Sequence, residues 1–86
     1  MSRLIWTLHI DPAVTAYSYT LRGSEAGQQL RASIIGLQFE EEPSKERQAI
    51  PERPGRYSFI VANHKITIEV RASEKIIRVL TIEATT

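Results

Sequence analysis

Two histidines, His9 and His64, are the side chains best suited to proton transfer near neutral pH, and neither has sequence neighbours that complete a catalytic set. The chain has no GxSxG, no glycine-rich phosphate loop, no HExxH pair and no cysteine. His64 follows Asn63 between two β-rich runs, which predicts an exposed position at a hairpin tip. His9 is expected to be a partly exposed strand residue, facing away from the apolar set of its strand. The basic side chains offer different chemistry. Arg56, Lys65, Arg71 and Arg78 recur through the β-rich half and suit the binding of phosphate or another acidic target. Glu40, Glu41 and Glu42 read as a solvated helix end, since no nearby histidine completes a ligand set. Neither a metal nor a cofactor is expected.

The elements that must position these groups begin with the stretch from Arg56 to Thr81. It reads RYSFIVA, Asn63-His64, KITIEV, a short polar turn and KIIRVLT. β-Branched and aromatic runs with brief breaks predict an antiparallel meander. With Asn63 and His64 as central turn residues, Val61 falls opposite Ile66, Phe59 opposite Ile68, Tyr57 opposite Val70 and Ser58 opposite Glu69. A second turn at Ser73 and Glu74 sets Val70 opposite Ile77, Ile68 opposite Val79 and Glu69 opposite Arg78. Both hairpins then bury the same face. The other face carries Ser58, Lys65, Thr67, Glu69, Arg71 and Arg78, and also Ile60, Ile76, Leu80 and Ile82, an apolar group that suggests a covering partner.

Upstream, Leu4 to Ile10 alternates as a strand, with Leu4, Trp6, Leu8 and Ile10 on one face. Residues 12–21 leave helix and strand open: Asp11-Pro12 suits a helix start, whereas Tyr17, Tyr19 and Leu21 also alternate. Gly23 ends that element, and Ser24 caps a firmer helix in which Ala26, Leu30, Ile34 and Leu37 recur through Gln38. Gly27 and Gly36 weaken this helix unless they serve close packing. Residues 40–56 hold three of the four prolines and read as a long loop, functional, mobile or held by a partner.

Composition removes whole classes of function. The 86 residues suffice for one domain, residues 1–86, and without cysteine there is neither a disulfide framework nor a zinc finger. The absence of a long apolar run or a signal-like start predicts a cytoplasmic protein with no membrane partner. Net charge is only +1, too little to announce a nucleic-acid binder. Its distribution is uneven: residues 43–78 carry Lys45, Arg47, Arg53, Arg56, Lys65, Arg71, Lys75 and Arg78 against four glutamates.

The stretches HIDPAVTAYSYTL, GSEAGQQLRASIIGLQFEEEP, RPGRYSFIVANHKITIEV and KIIRVLTIE, in that order, resemble the RelE/ParE superfamily of toxins from type II toxin-antitoxin modules. The resemblance spans nearly the whole chain and is one of pattern and spacing. It implies an α+β fold, β-α-α-β-β-β, with a helical hairpin on one face of a mainly antiparallel four-stranded sheet. Residues 12–21 are then helix. It also implies a cognate antitoxin, a target in DNA gyrase or in the ribosome and mRNA, and assembly as a homodimer or as a heterotetramer with the antitoxin.

Position by position, Lys65 matches a basic residue that engages phosphate in the mRNA-cleaving members. Ser58 and Ile60 stand where such members often carry arginine. Glu83, Ala84, Thr85 and Thr86 stand where they tend to carry an arginine and a proton-transfer group. RNA cleavage through the 2′-hydroxyl needs both cations and proton transfer. The sequence therefore favours a toxin that binds its target, as in gyrase inhibition, with Arg56, Lys65, Arg71 and Arg78 on the target side and Ile60, Ile76, Leu80 and Ile82 toward the antitoxin. The alternatives are a ribosome-dependent mRNA endonuclease, and a degenerate toxin or non-catalytic interaction module.

Overall fold

The computed structural model describes residues 4–85. Strand β1, Thr7–Ile10, leads into helix α1, Pro12–Thr20, and helix α2, Glu25–Gly36, which tightens into a 3-10 turn at Leu37–Phe39. Strands β2, Gln48–Ala49, β3, Arg56–Val61, β4, His64–Arg71, and β5, Ile76–Ala84, follow.

The helix reading of residues 12–21 holds, and the reason lies at its start. The Asp11 carboxylate accepts the Ala13 N–H at 2.9 Å, while Pro12 occupies a first-turn position whose N–H would be unpaired in any case. Gly23 takes φ +82° in the turn that reverses the chain, and the Ser24 hydroxyl accepts the Gly27 N–H at 3.0 Å to open α2. Gly27 packs closely against the end of the α1 segment. A Cβ there would lie inside contact distance of the Leu21 carbonyl oxygen and 2.9 Å from its carbon.

The sheet has five strands in the order β1-β5-β4-β3-β2, one more than the sequence predicts. The extra strand is a two-residue edge within the proline-rich loop, where Gln48 pairs with Ser58 and Ala49 with Tyr57. Arg47 organises the loop around it. Its guanidinium donates to both Glu40 carboxylate oxygens at 3.0 Å and to the Pro43 carbonyl at 2.8 Å, and lies 4.5 Å over the Phe59 ring. β1 joins the opposite edge parallel to β5, with His9 beside Arg78.

The first hairpin departs from its predicted register by two residues. Its central turn residues are Ala62 and Asn63, at φ +50° and +59°, so Val61 faces His64, Phe59 faces Ile66, Tyr57 faces Ile68 and Arg56 faces Glu69. An alanine in this conformation costs about 1–2 kcal/mol. What offsets it is His64, which becomes the first residue of β4 and is buried rather than exposed at the tip. A carbonyl can only accept, so Nδ1–H donates to the Ala62 oxygen at 2.7 Å; in the neutral ring Nε2 then accepts the Tyr17 hydroxyl at 2.9 Å. Tyr17→Phe leaves that nitrogen unpaired in a buried site. It is expected to lower stability by about 1–3 kcal/mol, read as a lower urea midpoint at unchanged m-value.

The second hairpin keeps its predicted pairing, with Val70 opposite Ile77, Glu69 opposite Arg78 and Ile68 opposite Val79. Beyond that point Leu80 is an extra residue, and pairing resumes with Thr67 opposite Thr81 and Ile66 opposite Ile82. The bulge reverses which side chains face inward. Ile82 consequently packs against the core and does not share the outer face with Ile60 and Ile76, as strict alternation predicts.

The core lies between the helices and one sheet face. Val14 of α1 and Leu30 and Ile34 of α2, followed by Leu37, meet Ile66 and Ile68 of β4 and Ile77 and Val79 of β5, with Trp6 closing the β1 end. The six largest fully buried side chains are Leu30, Leu37, Ile66, Ile68, Ile77 and Val79. Each contributes about 1.5–3 kcal/mol of burial, so this face holds the sheet in place. No helix among the described residues is long and apolar enough to cross a membrane.

Candidate nucleic-acid interface

Because the helices cover one face of the sheet, alternation leaves the charged residues on the other. Reading across the strands, His9 of β1 lies beside Arg78 of β5, Arg78 opposite Glu69 of β4, and Glu69 opposite Arg56 of β3. Four polar side chains from four strands thus form one row, and no two of them come from the same stretch of sequence. The next row is uncharged: Gln48, Ser58, Thr67 and Thr81. Ser58 is buried there between its neighbours, so no arginine occupies the centre of this face. A third row sets Ile60, well exposed, beside Lys65, whose other cross-strand neighbour is Glu83.

Glu69 is the hub of the charged row. Its carboxylate lies 2.9 Å from Arg71 Nε, 3.4 Å from Arg56 Nε and 3.6 Å from Arg78 Nη1, and Arg71 also reaches Glu74 at 3.8 Å. Glu69 is therefore shared among three guanidinium groups and does not neutralise Arg78 alone. Arg78 makes the longest of the three contacts, and its side chain is 44% exposed, much as Arg71 is, so it is the most loosely held of the three. The sequence places Arg71 and Arg78 on this face and names Arg56 as a target-binding residue; the structure brings all three together around Glu69. Lys65 stands apart, with no ion pair among the described residues.

The Arg71 hydrogen bond holds the Glu69 carboxyl below the usual carboxylate range, with Arg56 adding to it and partial burial opposing. The same contact raises the Arg71 guanidinium. A carboxyl whose folded pKa is depressed contributes stability above its unfolded value, and loses it as pH falls through the folded one. Glu69→Gln is therefore expected to destabilise at pH 7, with the gap from wild type shrinking as acid denaturation proceeds. Thermal melts in a pH series check this, and a gap independent of pH would contradict it.

At the β1 edge the row ends in a shallow depression of about 180 Å³ lined by His9, Asp11, Arg78 and Leu80. Ile76 and Leu80 lie half-buried near this edge, while Ile60 is across the sheet, so the predicted antitoxin residues do not form one patch. No three His, Asp or Glu side chains among the described residues gather as a metal-binding group. Of the C-terminal residues, Thr85 donates to the Asn63 carbonyl at 2.8 Å through its hydroxyl, and Thr86 lies outside the described residues.

No family model matches the sequence, and no curated protein does. Solved structures do match. The toxin in the intact E. coli RelBE toxin-antitoxin complex superposes with a TM-score of 0.75 over 94% of this chain and 98% of that one, at 17% identity. The chain has the RelE fold. A double arginine-to-alanine mutant of E. coli toxin RelE in the free state gives a TM-score of 0.73 at 17% identity, covering 98% of this chain and 84% of that one. A RelE–RelB complex from Pyrococcus horikoshii gives 0.68 at 11% identity, covering 93% and 94%.

Within the RelE fold the two predicted helices and the meander stand where the resemblance puts them. Sequence reasoning misses the pairing of His9 with Arg78, because a parallel neighbour contributed from the far end of the chain leaves no local signal. It also misses Tyr17–His64, for the same reason of distance. The Glu69 hub was half legible, through the predicted Glu69–Arg78 pair.

Proposed function

We propose that this chain is the toxin of a type II toxin-antitoxin module and acts as a ribosome-dependent mRNA endonuclease, silenced by a cognate antitoxin. The observation that carries the reading is the charged cluster at Glu69: three arginines from three strands around one carboxylate, on the sheet face that the helices leave open in a RelE fold. An RNA phosphate competes with Glu69 for these guanidinium groups, and planar bidentate donors suit a phosphoryl oxygen pair. Arg78, the most loosely held, takes the scissile phosphate, and Arg56 and Arg71 neighbouring charge. The preference for gyrase rested on the lack of a proton-transfer group on this face, and His9 at the end of the row weakens that reason.

Induced expression of the chain is expected to arrest growth, and primer extension on cellular mRNA to show discrete new 5′ ends at codon positions. Co-expression of a cognate antitoxin should relieve both. Arg78→Ala should reduce cleavage about 10²-fold, the usual effect of deleting one charge-stabilising donor. Arrest with intact mRNA and gyrase-linked DNA breaks would overturn the reading in favour of gyrase inhibition. Harmless expression would overturn the toxin assignment altogether.

A further inference from the structure

We infer that His9 is the general acid of this site, donating a proton to the leaving 5′-oxygen of an RNA phosphodiester held by Arg78; the inference rests on the endonuclease reading above. The cations on this face can stabilise charge at phosphorus, but none can readily give up a proton at neutral pH. Imidazole is the side chain suited to that transfer. His9 is one of two in the chain, and His64 is committed to Tyr17 and Ala62 on the helix side.

Three observations place His9 for the task. It lies on β1 directly beside Arg78 in the parallel pair, and neighbouring strands are only about 4.8 Å apart. Leu8, which packs against the core, pairs with Ile77, and His9, the next residue, pairs with the outer-face Arg78, so alternation turns His9 to the outer, charged face. It is exposed, and shares with Arg78 the depression that ends the charged row. Asp11, the other ionisable side chain there, is occupied in capping α1. The 44% exposed Arg78 and the imidazole beside it thus offer an anion site and a proton donor side by side.

The step balances without a cofactor. The 2′-oxygen attacks the adjacent phosphorus and its proton passes to water; the P–O5′ bond breaks as the His9 imidazolium protonates O5′. The products are a 2′,3′-cyclic phosphate and a free 5′-hydroxyl, and the proton released to solvent recharges the imidazole.

The test uses the full chain on ribosome complexes programmed with two synthetic mRNAs, one normal and one with sulfur in place of the 5′-oxygen at the cleaved linkage. A thiolate leaves without protonation, so the sulfur substrate bypasses a general acid. His9→Ala is expected to slow cleavage of the normal RNA by about 10²–10⁴-fold while cleaving the sulfur RNA at close to the wild-type rate. A variant that cleaves the normal RNA as fast as wild type, or that loses both substrates equally, overturns the assignment of His9. Wild-type protein inert on both substrates removes the endonuclease reading itself, and the role of His9 with it. Unchanged far-UV circular dichroism of the variant separates loss of chemistry from loss of fold.

Discussion

Trp6→Ala is expected to lower stability by about 3–5 kcal/mol, the usual range for deleting a buried tryptophan. In a chain of this size that is a large share of a total of about 5–15 kcal/mol. Trp6 is 4% exposed and does three things at once. Its ring closes the core at the β1 end, its Nε1–H donates to the Glu40 carbonyl at 2.7 Å, and its backbone N–H donates to the Gln38 carbonyl at 3.1 Å, beside that of Ile5 at 2.8 Å. It therefore ties the entry to β1 onto the end of the α2 segment. Lys75, 5.0 Å over the ring, adds a cation–π contact from the turn before β5. Urea denaturation followed by circular dichroism measures the loss, since the variant lacks the chain's one tryptophan as a fluorescent probe. Trp6→Phe should recover most of the packing yet remain about 1–3 kcal/mol below wild type, because the Glu40 carbonyl loses its donor. Equal stability of Trp6→Phe and wild type would show that the hydrogen bond contributes nothing net.

Gly27→Ala is expected to destabilise by about 2 kcal/mol, against the gain of up to about 1 kcal/mol that alanine brings to a helix interior. The added methyl meets the Leu21 carbonyl, which is backbone and cannot swing aside. The α1–α2 connection must open to admit it, shifting Val14 and Leu30 in the core. Gly36→Ala is the control with the opposite sign. Its Cβ would meet nothing within 4 Å and its φ is −60°, so helix propensity acts alone and stability should rise by about 0.5–1 kcal/mol. At about 4–8 °C per kcal/mol for a chain of this length, the two variants should melt well apart on either side of wild type. Two shifts of the same sign would mean that contact at Gly27 does not decide the packing of the helices.

Much of this architecture was legible because its signals are local. Asp11-Pro12 and Ser24 are caps that act within three residues, and Leu30, Ile34 and Leu37 share a face through helical spacing alone. The second hairpin was readable because its polar turn and the Glu69–Arg78 pair agree on one register. The first misled, since Asn63 tolerates positive φ at either central position of the turn. Burial of His64 against Tyr17, 47 residues earlier, then favoured Ala62-Asn63. β2 escaped notice for a related reason: two residues carry no periodicity, and their pairing depends on Arg47 being anchored to Glu40 and laid over Phe59.

The charged face began as four basic residues, Arg56, Lys65, Arg71 and Arg78, chosen by type and by strand alternation. By itself the sequence determined that they lie outside the core, because each alternates with a residue that must be buried. Only the tertiary structure decided what they are beside. Strand order is set by which faces must pack together over the whole chain, so the arrival of β1 next to β5 could not be read from either strand alone. That arrival sets His9 at the end of the arginine row, while the bulge at Leu80 turns Ile82 inward and the Ala62-Asn63 turn brings Arg56 to Glu69.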